Sequence, residues 1–252
     1  MIKFVQISDC HLFADPDGQH FGAKVYPQLK AALTKINQLQ GVDFVVFTGD
    51  LTQDHTRESY QLFNQAIADT RLSTPVYYLA GNHDDPELLE SELSGEVFDG
   101  LKSITRGKWQ IQLVNSKSQT PAGWVDDTEL KRIANLDNNY FQCLLMHHHP
   151  VDVGYFIDRH GMKNQSEFWH AVNQAESISV IACGHVHRGM KLSVPQSNNQ
   201  NIALYTSPAT SITFAKHEDE LVAEYDDIGY RVFELNDNGT VSSYVQRIHA
   251  VL

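Results

Sequence analysis

Ile2–Ile7 is a short, mostly apolar run rich in β-branched residues that stops at Ser8-Asp9, the pattern of a buried strand feeding a loop. Beyond a polar gap, Leu29, Leu33, Ile36 and Leu39 recur at helical spacing, with Pro27 near the first turn and Gly41 just past the end. Residues 42–47 predict a second strand ending at Thr48-Gly49-Asp50. Tyr60, Leu62, Phe63, Ala66 and Ile67 mark a second helix, and residues 76–79 a third strand ending at Gly81-Asn82-His83-Asp84. Strands alternating with helices imply parallel strands joined by crossovers.

The pattern then changes. After a helical stretch over 87–93, Trp109, Ile111 and Leu113 alternate with Gln110 and Gln112, which predicts a strand with one wet face. Leu130, Ile133, Ala134 and Leu136 form another short helix, and Phe141–Met146 and 178–182 are two further apolar strands. From about Lys191 the chain reads as antiparallel β, over 202–205, 230–235 and 241–245, with a strong turn at Asn236-Asp237-Asn238-Gly239. No repeat or linker divides residues 1–252, so a single domain with a C-terminal β-rich portion is expected.

Composition narrows the function. With 19 Lys plus Arg against 31 Asp plus Glu the formal charge is −12, which argues against nucleic-acid polymers and anionic membranes as partners. The N-terminus has no long apolar leader-like segment, and no run reaches the ~18 apolar residues that span a bilayer. Cys10, Cys143 and Cys183 make no CxxC pair, so a cytoplasmic, reducing location is expected. The chain holds 13 histidines, seven of them in clusters beside Asp, Asn and Gly, which points to metal or proton chemistry.

Five polar clusters follow five predicted strands: Asp9-Cys10-His11, Gly49-Asp50, Gly81-Asn82-His83-Asp84, His147-His148-His149 and Gly184-His185-Val186-His187. Loops at the carboxyl ends of strands in α/β sheets converge on one crevice. Carboxylate, imidazole and amide donors suit Mn, Fe or Zn, and the donors exceed what one ion needs. Two ions sharing a carboxylate would use them, at the ~3.5–4 Å separation of two-metal hydrolytic sites.

The ordered series D-x-H, G-D, G-N-H-D, H and G-H-x-H, over residues 9–187, resembles the calcineurin-like metallophosphoesterases. The stretches 7–13, 147–150, 156–164 and 183–187 look like those of the bacterial class III 3',5'-cyclic AMP phosphodiesterases. The resemblance implies a four-layer α-β-β-α sandwich of two mixed sheets. It implies a phosphodiesterase that turns cyclic AMP into 5'-AMP by attack of a metal-bridging hydroxide, with a glycerophosphodiesterase or a non-catalytic scaffold of the same fold as alternatives. One metal would be held by Asp9, His11, Asp50 and His187, the other by Asp50, Asn82, His147 and His185, iron or manganese being the expected ions and zinc an alternative. His83 would protonate the leaving oxygen, with Asp84 orienting its ring. His11, Asp50, Asn82, His83 and His187 would face the substrate, a small cyclic nucleotide, and His160 and Asn164 would meet its phosphate or ribose or else fix a loop. His148 and His149 are expected to satisfy backbone groups or seat a loop, or else to contact substrate, Cys10 and Cys183 to pack at strand ends, and Phe214 and Tyr225 to serve the core, a dimer edge or a nucleobase. Residues 22–26, Gly-Ala-Lys-Val-Tyr, depart from the Gly-Val-Asn-Thr-like stretch of those enzymes.

Overall fold

A computed structural model describes residues 1–195 and 201–252. The apolar runs form two six-stranded mixed sheets. In the first, β1 (Ile2–Ile7) lies parallel to β2 (Phe44–Phe47), which continues through β3 (Val76–Tyr78) to the short β4 (Phe98–Asp99). In the second, β5 (Ser103–Arg106), β6 (Trp109–Leu113), β7 (Phe141–Met146), β8 (Ile178–Cys183), β9 (Lys191–Pro195) and β10 (Asn201–Thr206) assemble in the order β9-β10-β8-β7-β6-β5. The chain then returns to the first sheet, where β11 (Gly229–Leu235) pairs antiparallel with β1 and β12 (Val241–Arg247) pairs with β11.

Helices α1 (Val25–Gln38), α2 (Arg57–Thr70) and α3 (Pro86–Glu92) cover the outer face of the first sheet, burying Leu29, Leu33, Phe63 and Leu89 against Val5, Val45 and Tyr78. On the far side α4 (Asp127–Ala134) and α5 (Gln165–Gln174) place Ile133, Phe168 and Val172 against Leu144 and Ile181. Between the sheets Phe4, Phe44, Trp109, Leu145 and Phe233 interdigitate. Each such side chain contributes roughly 1.5–3 kcal/mol by leaving water. The result is the four-layer α-β-β-α sandwich. Local chemistry sets helix starts: Thr56, Asp85 and Asp126 side chains each accept a first-turn N–H.

Two expectations need correcting. The glutamine face of β6 is not wet: Gln112 is buried, donating to Gln142 Oε1 at 3.0 Å and accepting from Arg132 of α4 at 2.6 Å. Hydrogen-bonded glutamines mimic a solvated row when a helix covers them. The C-terminal portion is also not uniformly antiparallel, since β10 runs parallel to β8. Residues 196–200 of that portion lie outside the described ones.

Candidate metal centre

The loops after β1, β2, β3, β7 and β8 meet at one end of the sandwich. Asp9, His11, Asp50, His147, His185 and His187 are buried there, with Asn82 and His83 half-buried. Asp9, His11 and His187 offer donor atoms within 4.8 Å of one another, as do Asp9, Asp50 and His147, and His11, Asp50 and His83. Asp50 belongs to two of these groups.

The backbone is bent to make this possible. Asp9, His11, Asp50, His185 and His187 have φ of 56°, 47°, 56°, 63° and 57°, left-handed conformations that side-chain-bearing residues rarely adopt. Each costs on the order of 1–3 kcal/mol and persists only where surrounding bonds over-determine it. Asp84 provides several of those bonds: its carboxylate accepts the N–H groups of Asp50, Leu51 and Gly81, each at 2.8 Å. Gly49 and Gly81 let the two loops touch, since a Cβ on Gly81 would overlap Asp50 Oδ1.

Hydrogen bonds fix the tautomers of three imidazoles. Nδ1–H of His147 donates to Thr48 O at 2.8 Å, that of His187 to Ile212 O at 2.9 Å, and that of His11 to Gln53 Oε1 at 2.8 Å. In the neutral rings the Nε2 atoms therefore carry lone pairs, and these point at other acceptors. His11 Nε2 lies 3.2 Å from His187 Nε2, and His147 Nε2 lies 3.1 Å from Asn82 Oδ1 and 3.4 Å from Asp50 Oδ2. His187 Nε2 is 3.5 Å from Asp9 Oδ1, and buried His185 Nε2 has no partner among the described residues. Acceptors facing acceptors in a buried site are costly unless a cation lies between them. The donor set thus fits divalent metal ions, with hard and borderline donors only.

Burial disfavours charge on His147, yet Asp50 outweighs it and pushes this imidazole up to about 9, so without an ion its Nε2 takes up a proton, which a cation bound there would displace. Burial alone would raise Asp50, but His147, His83 and His11 hold it well below the usual carboxylate range. Burial first, and then neighbouring imidazoles, keep His11, His148 and His185 well below the ordinary histidine value and hence neutral.

Other expected residues separate. His83 N–H donates to Asp50 Oδ1 at 2.8 Å, and its ring meets His11 edge-on at 4.9 Å. Asp84, expected to orient that ring, is committed to the backbone bonds above, and His83 Nδ1 has no partner among the described residues. His160 lines a cavity of about 380 Å³ with His11, Asp50, Asn82 and His83. Asn164 instead brackets the backbone of Val125, accepting its N–H at 3.1 Å and donating to its carbonyl at 2.7 Å, so it fixes a loop. His148 is tied to Ser116 and Pro121, and His149 to Asp158. Cys10 and Cys183 are buried and unpaired, with burial pushing both thiols up.

Several neighbours escaped the sequence patterns. His20 stacks on His11 at 4.7 Å with planes 1° apart, His55 stacks on His83 at 5.5 Å, and Lys117 Nζ donates to Asn82 O at 2.9 Å. None sits in a motif; only the Gln53 that follows Asp50 by three positions lay near a recognised cluster. A larger cavity, about 700 Å³, lies at the opposite strand ends, beside Phe141, Ile178 and Asn201, far along the strands from these loops.

Residues 2–189 match the model of the calcineurin-like phosphoesterase family. A probable cyclic nucleotide phosphodiesterase of Colwellia psychrerythraea is 45% identical over 97% of this chain and 94% of its own length. The 3',5'-cyclic adenosine monophosphate phosphodiesterase CpdA of Vibrio vulnificus is 30% identical over 98% of this chain and 90% of its own. Among solved structures, a dimetal phosphatase from Danio rerio superposes with a TM-score of 0.64 at 13% identity, covering 99% of this chain and 98% of that one, a likeness of fold.

Proposed function

Since the chain belongs to the calcineurin-like phosphoesterase family, we propose that it is a two-metal phosphodiesterase hydrolysing 3',5'-cyclic AMP to 5'-AMP in the cytoplasm, with residues 1–252 acting as one catalytic unit. The observation that carries it is the set of buried Nε2 and carboxylate lone pairs converging on Asp50. The names of the relatives support the cyclic nucleotide as substrate. In this reading Asp9, His11, Asp50 and His187 hold one ion, and Asp50, Asn82, His147 and His185 the other. Iron and manganese, with zinc as the alternative, suit the donors. Bound there, two divalent cations supply charge neutralisation of the diester and a water acidic enough to be deprotonated near neutral pH.

The chain's own residues do the rest. His83, hinged beside Asp50 through its N–H, presents its ring to the cavity, and burial lowers its pKa, which makes its imidazolium form the readier to give up a proton. Its ring N–H is placed to donate to the ribose 3'-oxygen and hand over a proton as the P–O bond breaks, a contribution of ~10²–10⁴-fold. Lys117 holds the Asn82 carbonyl and so sets the angle of the loop that carries both Asn82 and His83.

Metal analysis of the purified chain, joined to assays on cyclic AMP, cyclic GMP, a glycerophosphodiester and an aryl phosphodiester, tests the reading. Two bound transition metals per chain and preference for cyclic AMP are expected. Activity on the aryl diester alone would remove the cyclic nucleotide assignment.

A further inference from the structure

Residues 19–24 fold as a two-stranded ribbon, Gln19–His20 against Ala23–Lys24, whose His20 and Phe21 line the cavity beside His11, Asp50 and His83. His20 is buried and lies flat on His11, and its other neighbour is the ring of Phe21, edge-on at 4.9 Å. Phe21 itself is 54% exposed, although it lines the cavity. Its φ is 48°, a left-handed conformation that is an outlier for so bulky a residue. That conformation is held: Tyr225 OH donates to the Phe21 carbonyl, Gly22 continues the turn at φ 88°, and Lys24 N–H donates to Val251 O at 2.7 Å. A large aromatic ring is thus held at the rim of the cavity by a strained, anchored backbone. His20 thus lies between the rings of His11 and Phe21, 4.7 and 4.9 Å from their centroids.

Resting on the nucleotide reading above, we propose that Phe21 is the platform on which the substrate's nucleobase stacks, with His20 as the fixed spacer between that platform and the ligand His11. Phe156, Phe214 and Leu221 add apolar surface to the lining of the same cavity. Stacking on an aromatic face is tolerant of base identity, so the ribbon selects nucleotides over smaller diesters without reading hydrogen bonds. Because Phe21 is exposed, its replacement leaves the core intact.

Calorimetry on the manganese-loaded full chain, with 5'-AMP and inorganic phosphate as separate probes, tests this. Phe21→Ala is expected to weaken 5'-AMP by about tenfold or more, Phe21→Trp to bind it like the wild type, and phosphate to bind all three alike. Equal 5'-AMP affinity in wild type and Phe21→Ala overturns the proposal, as does an equal loss of phosphate. A wild type whose 5'-AMP binding depends on Phe21 but which leaves cyclic AMP intact upholds the platform and removes the cyclic AMP reading.

Discussion

The first sheet contributes Asp9, Asp50 and Asn82 to the proposed centre, with one imidazole, His11, whereas the second contributes imidazoles only, His147, His185 and His187. Neither half is supported by itself. His147, from the second sheet, is fixed by the carbonyl of Thr48 in the first, and Asp9, from the first, accepts the backbone N–H of His185 at 3.1 Å. Asp50 is thus bent into place within its own half, through Asp84, while His147 is aimed by a carbonyl across the interface. The comparison teaches that the site is a property of the contact between sheets.

The most damaging way to break it is at the shared carboxylate. Asp50→Ala is expected to lose both ions and all measurable turnover, read by metal analysis and assay together; retention of two ions would mean that Asp50 does not bridge the halves. Next in size, His83→Ala should keep both ions and lose ~10²–10⁴-fold in kcat, because it removes a proton donor and no ligand. Loss of metal in that variant would move His83 into the ligand set.

The smallest effect concerns the outer support of the imidazole half. Burial would raise the Asp158 pKa, but bonds from His149 and from the N–H groups of Val153 and Gly154 outweigh it and hold Asp158 below the usual carboxylate range. Its stabilisation is therefore present above the unfolded-chain value, about 4, and is lost as pH falls through the lower folded value. In metal-free protein the Tm gap between wild type and Asp158→Asn should narrow from pH 6 to pH 3. A gap that stays constant would show that the carboxylate charge plays no part.

Much of this was legible in the sequence because strand ends announce themselves. Apolar runs stopping at Asp9, Asp50, Asn82, His147 and His185 located the strands, the loops and the candidate donors at once. Contacts made by faces and edges left no such trace. His20 and His55 reach the site by stacking, which any residue spacing permits, and Gln112 resembles a solvated position until Arg132 is seen to cover it. Asp84 adjoins His83 in sequence, yet its oxygens turn to backbone N–H groups because three of them converge where the two glycine loops touch.

The return of the chain to the first sheet carries one more consequence. Every donor named here lies before residue 189, where the family match ends, but their props do not. Ser211 Oγ–H donates to Asp9 O at 2.7 Å, Thr210 N–H to Ser8 O at 3.1 Å, and Ile212 O receives the His187 ring. During synthesis, a nascent chain that has emerged only to residue 189 would already display every proposed ligand while lacking the scaffolding that bends Asp9 and aims His187. The contacts from residues 210–212, and not the motifs alone, hold the proposed centre in shape.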